Sequence, residues 1–443
     1  MRHKWFGLSG LVALLALLPA CSDPSSGEEG TSPPPDSTPA PSDQPIPADW
    51  EEEEPAPSAT DTPTPDGQLI AGDWDDNLNF GLFQKYLSRP PLKWTAPKVA
   101  DRVLITVRDG KGKPLSNARI TVATSAGTQR LAAPTASDGR VLFMPTQDGA
   151  TSGESFQVTV APGAGQAGQT LTASVQGGRV DVTLPDASAT PPTQLDVAFL
   201  LDTTGSMSDE LTYLKKEMQA MVDSVSTTFP GVSARFALVL YRDDGDIYVV
   251  RPFDFTSDVA TFRKQLEAQS ANGGGDLPEA MERAMEGVNK LSWRTGNTAR
   301  ITFLMTDAPS HLEANTAFFN EVHKARKAGI RVYPVAASGV AEEAEFQLRQ
   351  AAQLTLGRYI FLTDDSGIGD EHAIPHIPCY QVQLLKSLLI RAIDSELEGK
   401  RRPASGSDIL RTVGSPSPDG TCRLPDGTVT YLSNEAWGAS LRR

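Results

Sequence analysis

Asp202, Thr204 and Ser206 stand two residues apart in Asp202-Thr203-Thr204-Gly205-Ser206-Met207, directly after the apolar run 195–201. One carboxylate and two hydroxyls at i, i+2 and i+4 on a turn are hard oxygen donors, the ligand type that a small divalent cation takes. Two further acidic turns follow. Gly273-Gly274-Gly275-Asp276 opens a helical pattern, and the apolar stretch 301–306 ends in Asp307. Each turn has a plainer local reading. Ser206 with Asp209 has the spacing of a capping box, and Asp276 with Pro278 and Glu279 has that of a helix start. His311 lies four residues past Asp307, where it would rim the same edge or sit in a solvated loop. Asp243, Asp244 and Asp246 read as a solvated acidic turn. His372, His376 and Cys379 are zinc-ligand types, but Pro375 and Pro378 break a helical pairing and no fourth ligand is evident.

The elements that must position these turns alternate. Strand-like runs occur at 195–201, 234–241, 300–306, 330–336 and 358–362, with a short edge strand at 248–251. Helical spacing occurs at 208–227, 259–268, 278–291, 312–327, 341–354 and 380–398. Such alternation predicts a doubly wound α/β sheet, whose ligands bind outside the carboxyl ends of the strands. The three turns fall at those ends.

On these motifs the stretch 194–400 resembles a von Willebrand factor type A domain with a metal-ion-dependent adhesion site. The flavour is that of hemicentin-like A domains, through Asp202-Thr203-Thr204-Gly205-Ser206-Met207, Tyr241-Arg242-Asp243-Asp244-Gly245-Asp246 and Gly273-Gly274-Gly275-Asp276-Leu277-Pro278-Glu279. The resemblance implies a Rossmann-like fold and a divalent cation held by Asp202, Thr204, Ser206 and Asp307. Mg2+ is the expected ion, with Ca2+ and Mn2+ as alternatives. Where the family often has threonine, this chain has Asp276 as a fifth candidate ligand. A third carboxylate would leave the site negative and favour Ca2+, which accepts more oxygen ligands.

The remaining chain reads as a presentation system. Residues 1–20 have the basic start and short apolar core of a secretory signal, and Pro19-Ala20-Cys21 resembles a bacterial lipobox. Lipidation at Cys21 would tether the chain to the cell envelope, at the outer membrane in a Gram-negative host. Residues 21–67 are rich in Pro, Ser and Glu and predict a disordered linker. Residues 68–98 carry dense apolar anchors and read as a docking segment; within it Asp73-Trp74-Asp75-Asp76-Asn77 reads as a solvated turn. Residues 99–187 contain short strands at the spacing of a β-sandwich and resemble carboxypeptidase-regulatory-like or bacterial Ig-like modules. A tail, 401–443, follows. Cys379 and Cys422, an even pair in an exported chain, point to a disulfide.

A formal net charge of −15 without a basic stripe argues against nucleic-acid binding. No metalloprotease, P-loop or nucleophile-elbow motif is present, so no enzyme is expected. The expected function is binding of a protein or other macromolecule through the metal edge. The alternative is a structural envelope protein whose metal only stabilises the fold.

Overall fold

A computed structural model describes residues 67–432, apart from Leu92, Asp276 and Asp370. The signal, Cys21, most of the linker and the candidate ligand Asp276 therefore lie outside the described residues. In chain order, β1 (Ile70–Trp74) and α1 (Phe80–Leu87) come first. Seven short strands follow: β2 (Val103–Asp109), β3 (Arg119–Thr124), β4 (Gln129–Pro134), β5 (Arg140–Phe143), β6 (Phe156–Ala161), β7 (Leu171–Ser174) and β8 (Arg179–Leu184). Next are β9 (Gln194–Asp202), α2 (Ser208–Thr228), β10 (Ser233–Tyr241), β11 (Val250–Thr256), α3 (Val259–Glu267), α4 (Met281–Asn289) and β12 (Thr298–Thr306). The chain continues with α5 (Asn315–Lys327), β13 (Arg331–Ala336), α6 (Glu342–Thr355), β14 (Tyr359–Leu362), β15 (Tyr380–Leu384) and α7 (Leu385–Glu398). It closes with β16 (Arg411–Val413), β17 (Thr421–Arg423) and β18 (Val429–Tyr431).

Nine strands form one mixed sheet in the order β11-β10-β9-β12-β13-β14-β1-β15-β16. Strands β10, β9, β12, β13 and β14 run parallel, and the others join antiparallel. Strand β12 is buried along its whole length, and β9 from Leu195 onward. That is why both read as continuous apolar runs: a parallel strand covered on both faces has no polar side. Period-two alternation still sorts the side chains. Ala198 and Leu200 join a core built with α4, α5 and α6, whereas Val197, Phe199 and Leu201 join one built with α2, α3 and α7. After β9 the chain moves outward to β10 and β11, then returns to β12 on the other side. The order reverses between β9 and β12, the place where open α/β sheets form their ligand crevice.

Two expectations change at the far side of this sheet. The periodicity predicts one helix over 380–398, but Tyr380–Leu384 is a strand and α7 begins at Leu385. Tyr-Gln-Val-Gln-Leu alternates with period two, and the leucines that follow extend an apolar pattern that blurs the boundary. The docking segment enters the sheet itself, as β1 between β14 and β15. Gly72 permits this, because a Cβ there would lie 2.5 Å from the Phe361 ring and 2.9 Å from that of Tyr380.

The acidic turn after β1 is buried rather than solvated. Asp76 meets Arg349 at 2.7 Å with both side chains essentially inaccessible, and Asp73 meets Arg358 at 2.5 Å and Arg391 at 2.8 Å. Burial opposes the Arg349 charge, yet the Asp76 carboxylate beside it holds that guanidinium above the ordinary arginine value. These aspartates are counter-charges for arginines on α6, just before β14 and on α7, not free water-facing groups.

Strands β2 to β8 form a three-stranded sheet, β5-β2-β8, and a four-stranded sheet, β4-β3-β6-β7. The two share an apolar core that includes Ile105, Val107, Ile120, Val122, Phe143, Val158 and Val182. Buried polar pairs join this unit to the large sheet and its helices: Arg326 to Asp148 at 2.7 Å, and Arg331 to Asp138 at 2.6 Å. In the tail, β16 completes the large sheet, and β17 and β18 form a hairpin. Cys379 and Cys422 form a disulfide with Cα atoms 6.5 Å apart. Among the described residues, no helix is long and apolar enough to cross a membrane.

Candidate metal-binding edge

Asp202 ends β9 and is fully buried. Its Oδ1 accepts from the Thr204 backbone N–H at 3.0 Å and from the Thr204 hydroxyl at 2.7 Å, and its Oδ2 accepts from the Thr306 hydroxyl at 2.9 Å. Thr306 in turn accepts from the Tyr241 hydroxyl at 2.8 Å. The carboxylate is thus held between the ends of β9, β10 and β12 by a fixed chain of hydroxyls. Ser206 lies in the short 3-10 turn Gly205–Met207, and its hydroxyl is 3.2 Å from that of Thr204. Neither this turn nor α2 has a side-chain cap at its start, so Ser206 and Asp209 do not form a capping box. The oxygen lone pairs of the two hydroxyls remain available to a cation.

The second loop is fastened to the first. Gly205 N–H donates to Gly273 O and Asn272 N–H to Thr203 O, both at 3.0 Å. Gly273 and Gly274 both adopt positive φ, at 80° and 67°. A Cβ on Gly273 would overlap the Asp246 carboxylate, and one on Gly274 would lie 2.9 Å from Glu279 Oε1 and 3.2 Å from Thr204 Cβ. Only glycine lets the loop pass between these groups.

Asp307 follows β12 and is 5% exposed; its Oδ1 has no hydrogen-bond partner. Burial, then the Asp202 charge, push its carboxyl up to about 7, with the Ser206 hydroxyl opposing. Burial also raises Asp202, against the hydrogen bonds from Thr204 and Thr306. Glu279, 1% exposed, carries a second orphan oxygen, Oε2. Burial and the charges of Asp202, Asp243, Asp307 and Asp246 push it up to about 9. Among the described residues, no three His, Cys, Asp or Glu side chains are grouped to hold a metal by themselves. The donor set is instead mixed: Asp202 and Asp307 carboxylates with the Thr204 and Ser206 hydroxyls. It is all oxygen, as Mg2+ and Ca2+ require, and two buried carboxylate oxygens at the edge lack a partner. These residues fit a divalent cation, which would supply the positive charge that the local carboxylates lack.

Neighbouring groups that the sequence singled out have other employment. His311 Nε2 is 2.6 Å from Asp243 Oδ1, Asp244 pairs with Arg283 at 2.6 Å, and Asp246 accepts from Gly274 N–H at 3.0 Å. Asp243 is buried and Asp246 half-buried against the neighbouring loops, whereas Asp244 is exposed, as a solvated turn predicts. His372 sits between Glu210 and Asp364, 2.8 Å from each, and His376 is 3.0 Å from Glu345, while Cys379 is consumed by the disulfide. The zinc reading therefore has no ligand set. Glu279 is the group that the sequence reading assigned only to a helix cap.

Thr306→Val keeps shape but removes the donor to Asp202 Oδ2. It is expected to lower stability by about 1–3 kcal/mol, the cost of leaving a buried acceptor unsatisfied. Urea unfolding of the metal-free protein measures this, and an unchanged midpoint would show that water replaces the hydroxyl.

The parallel core with its ligand edge at the switch point defines the class: a Rossmann-like α/β domain with an oxygen-lined loop site. Residues 196–368 match the family model of the von Willebrand factor A domain, and the chain carries such a domain over that span. An ariadne-like RING finger protein of Acanthamoeba polyphaga mimivirus is 31% identical over 121 residues, 27% of this chain and 12% of that protein. Mouse hemicentin-2 is 27% identical over 125 residues, 28% of this chain and 2% of that one. The chain thus spans only a small part of these relatives. Among solved structures, proximal thread matrix protein 1 from the mussel byssus, with zinc occupying its MIDAS motif, is 18% identical at a TM-score of 0.31. The match covers 37% of this chain and 40% of that one.

Proposed function

We propose that this protein binds a protein partner through a divalent cation held at the carboxyl edge of the large sheet. Asp202, Thr204, Ser206 and Asp307 hold the ion in this reading, with Asp276 as a further ligand and Mg2+ as the first candidate, ahead of Ca2+ and Mn2+. The observation that carries it is the placement of apolar surface. Among the described residues, the exposed large hydrophobics are Ile247, Leu277, Leu312 and Ile374, at 85, 53, 37 and 78%. Three stand on segments that follow the carboxyl ends of β10, β12 and β14, and Leu277 lies in the glycine loop between α3 and α4, which Gly205 fastens to the first turn. Exposed apolar side chains gathered around a polar centre are what a protein interface uses and what a solvated scaffold avoids. The chain is read as a binding protein, not an enzyme. In the same reading Cys21 carries a lipid that tethers the chain to the envelope, and the unit of two small sheets is a carboxypeptidase-regulatory-like or Ig-like spacer.

A second reading, a metal that only stabilises the loops, is favoured by Glu279, a further buried carboxyl beside the site whose ionisation a bound cation would favour, cancelling part of the charge left for a partner. The two separate in one experiment. Envelope proteins of the host are passed over the immobilised full chain with Mg2+ or with chelator. Under the binding reading, a metal-dependent partner is retained by the wild type and lost by both Asp202→Ala and Ile247→Asp. Retention that survives both substitutions, with only the melting temperature of Asp202→Ala lowered, would leave the stabilising role.

A further inference from the structure

We infer that the cleft between the two small sheets and the large-sheet unit is a binding site for a phosphate-bearing small ligand. The cleft has a volume of about 700 Å³, within the size range of small-molecule sites. Its charge runs against that of the molecule. The chain carries a formal −15, yet the cleft is lined by seven Arg or Lys and only three Asp or Glu.

Several of these cations are not used by the fold. Arg108 and Lys113, both exposed, have no ion pair among the described residues; Arg108 donates only to Gly112 O, at 3.0 Å. Arg102 also lacks a carboxylate within ion-pair distance. It lies 3.3 Å over the Phe80 ring and donates to Asn77 Oδ1 at 2.7 Å, which fixes its guanidinium in the wall without neutralising it. By contrast Arg401, buried and bonded to the Tyr333 hydroxyl at 2.7 Å, forms structure at the cleft floor.

A second observation marks the cleft as built for a ligand. Thr106, on β2 between Arg102 and Arg108, is 2% exposed and lines the cleft, and its hydroxyl has no hydrogen-bond partner. A buried hydroxyl without a partner is costly to the fold, and a ligand oxygen in the cleft would satisfy it. Guanidinium and ammonium groups with a hydroxyl donor suit a group offering several acceptor oxygens, which a phosphate does better than a lone carboxylate. A long polyanion is disfavoured, because the negative field of the rest of the chain would repel it. The phosphate could belong to a soluble metabolite or to a lipid headgroup.

The test uses the full chain in metal-free buffer at low ionic strength, with pyrophosphate as the calorimetric probe. Flotation with phosphatidylglycerol vesicles, against phosphatidylcholine vesicles, forms a parallel arm. One-to-one pyrophosphate binding is expected, weakened about tenfold or more in Arg108→Gln/Lys113→Gln through lost charge-assisted hydrogen bonds. Thr106→Val is expected to weaken binding severalfold without lowering the melting temperature, which separates a ligand role from a structural one. Flotation lost in the double variant would assign a lipid headgroup, and pyrophosphate binding without flotation would assign a soluble phosphate. Absence of pyrophosphate binding at millimolar concentration, or equal affinity in wild type and double variant, would overturn the assignment.

Discussion

A fragment that begins at residue 99 is expected not to fold, whereas one that begins at residue 67 folds, although the family match starts only at residue 196. The reason is β1. It sits between β14 and β15, pairing Ala71 with Leu362 on one side and Gln383 on the other. Without it β15 and β16 lose their connection to the sheet, and the fully buried Ile70 and nearly buried Trp74 leave the core. Deletion also strips Asp73 and Asp76 from Arg358, Arg391 and Arg349. An arginine left buried without its counter-charge is more damaging than an ion pair replaced whole. Asp76→Ala leaves Arg349 with only Glu345, 3.1 Å away, as counter-charge and is expected to cost about 3 kcal/mol, the lower end for a broken buried pair. Circular dichroism and urea unfolding of both fragments and of the point variant provide the measurement. A fragment 99–443 that unfolds cooperatively at the midpoint of fragment 67–443 would mean that β1 is an accessory strand.

That dependence was hidden in the sequence for physical reasons, while the sheet centre was not. Strands β9 and β12 are covered on both faces, so their burial is written as unbroken apolar runs ending in Asp202 and just before Asp307. Topology then places both ends at one crevice, which alternation alone predicts. Strand β1, Ile-Ala-Gly-Asp-Trp, is five residues long with a glycine at its centre, and its partners lie about three hundred residues away. No local pattern encodes such a pairing. The same holds for Asp73 and Asp76, whose arginines are scattered over α6, the residue before β14 and α7, so a locally acidic string reads as solvated. For Glu279 the local pattern points only to a helix cap. Its spacing from Asp276 suits a helix cap, and only the positive-φ path of Gly274 past Thr204 brings its carboxyl against the site. A Glu that closes the run Gly-Gly-Gly-Asp-Leu-Pro-Glu is the one local hint of that approach.

Divalent cations are expected to stabilise the wild type increasingly as pH rises from about 6 to 8, and to leave Asp202→Ala unaffected. The sign follows from the carboxyls at the edge. Folded and metal-free, Asp307 is held up to about 7 and Glu279 up to about 9, by burial first and neighbouring carboxylates second. In the unfolded chain both ionise near the ordinary value of about 4. Between those values the folded state binds more protons than the unfolded one, so the contribution of these groups to stability falls as pH rises. It is fully present below the unfolded values and lost as pH passes the folded ones. A cation among the same oxygens takes the place of the protons, and its affinity should rise up to about tenfold per pH unit for each proton displaced. Calorimetric titration of Mg2+, Ca2+ and Mn2+ in buffers of different ionisation enthalpy reads the proton count directly, and melting curves with and without metal read the stability. Asp202→Ala should weaken binding by on the order of 100-fold or more, since even groups that only orient ligands are worth 10- to 100-fold. Asp307→Asn should bind weakly too, but should also flatten the pH dependence of the metal-free melting temperature, which a ligand without a raised pKa would not do. A metal effect that is independent of pH, or that persists in Asp202→Ala, would place the cation elsewhere and return the three turns to loop bracing.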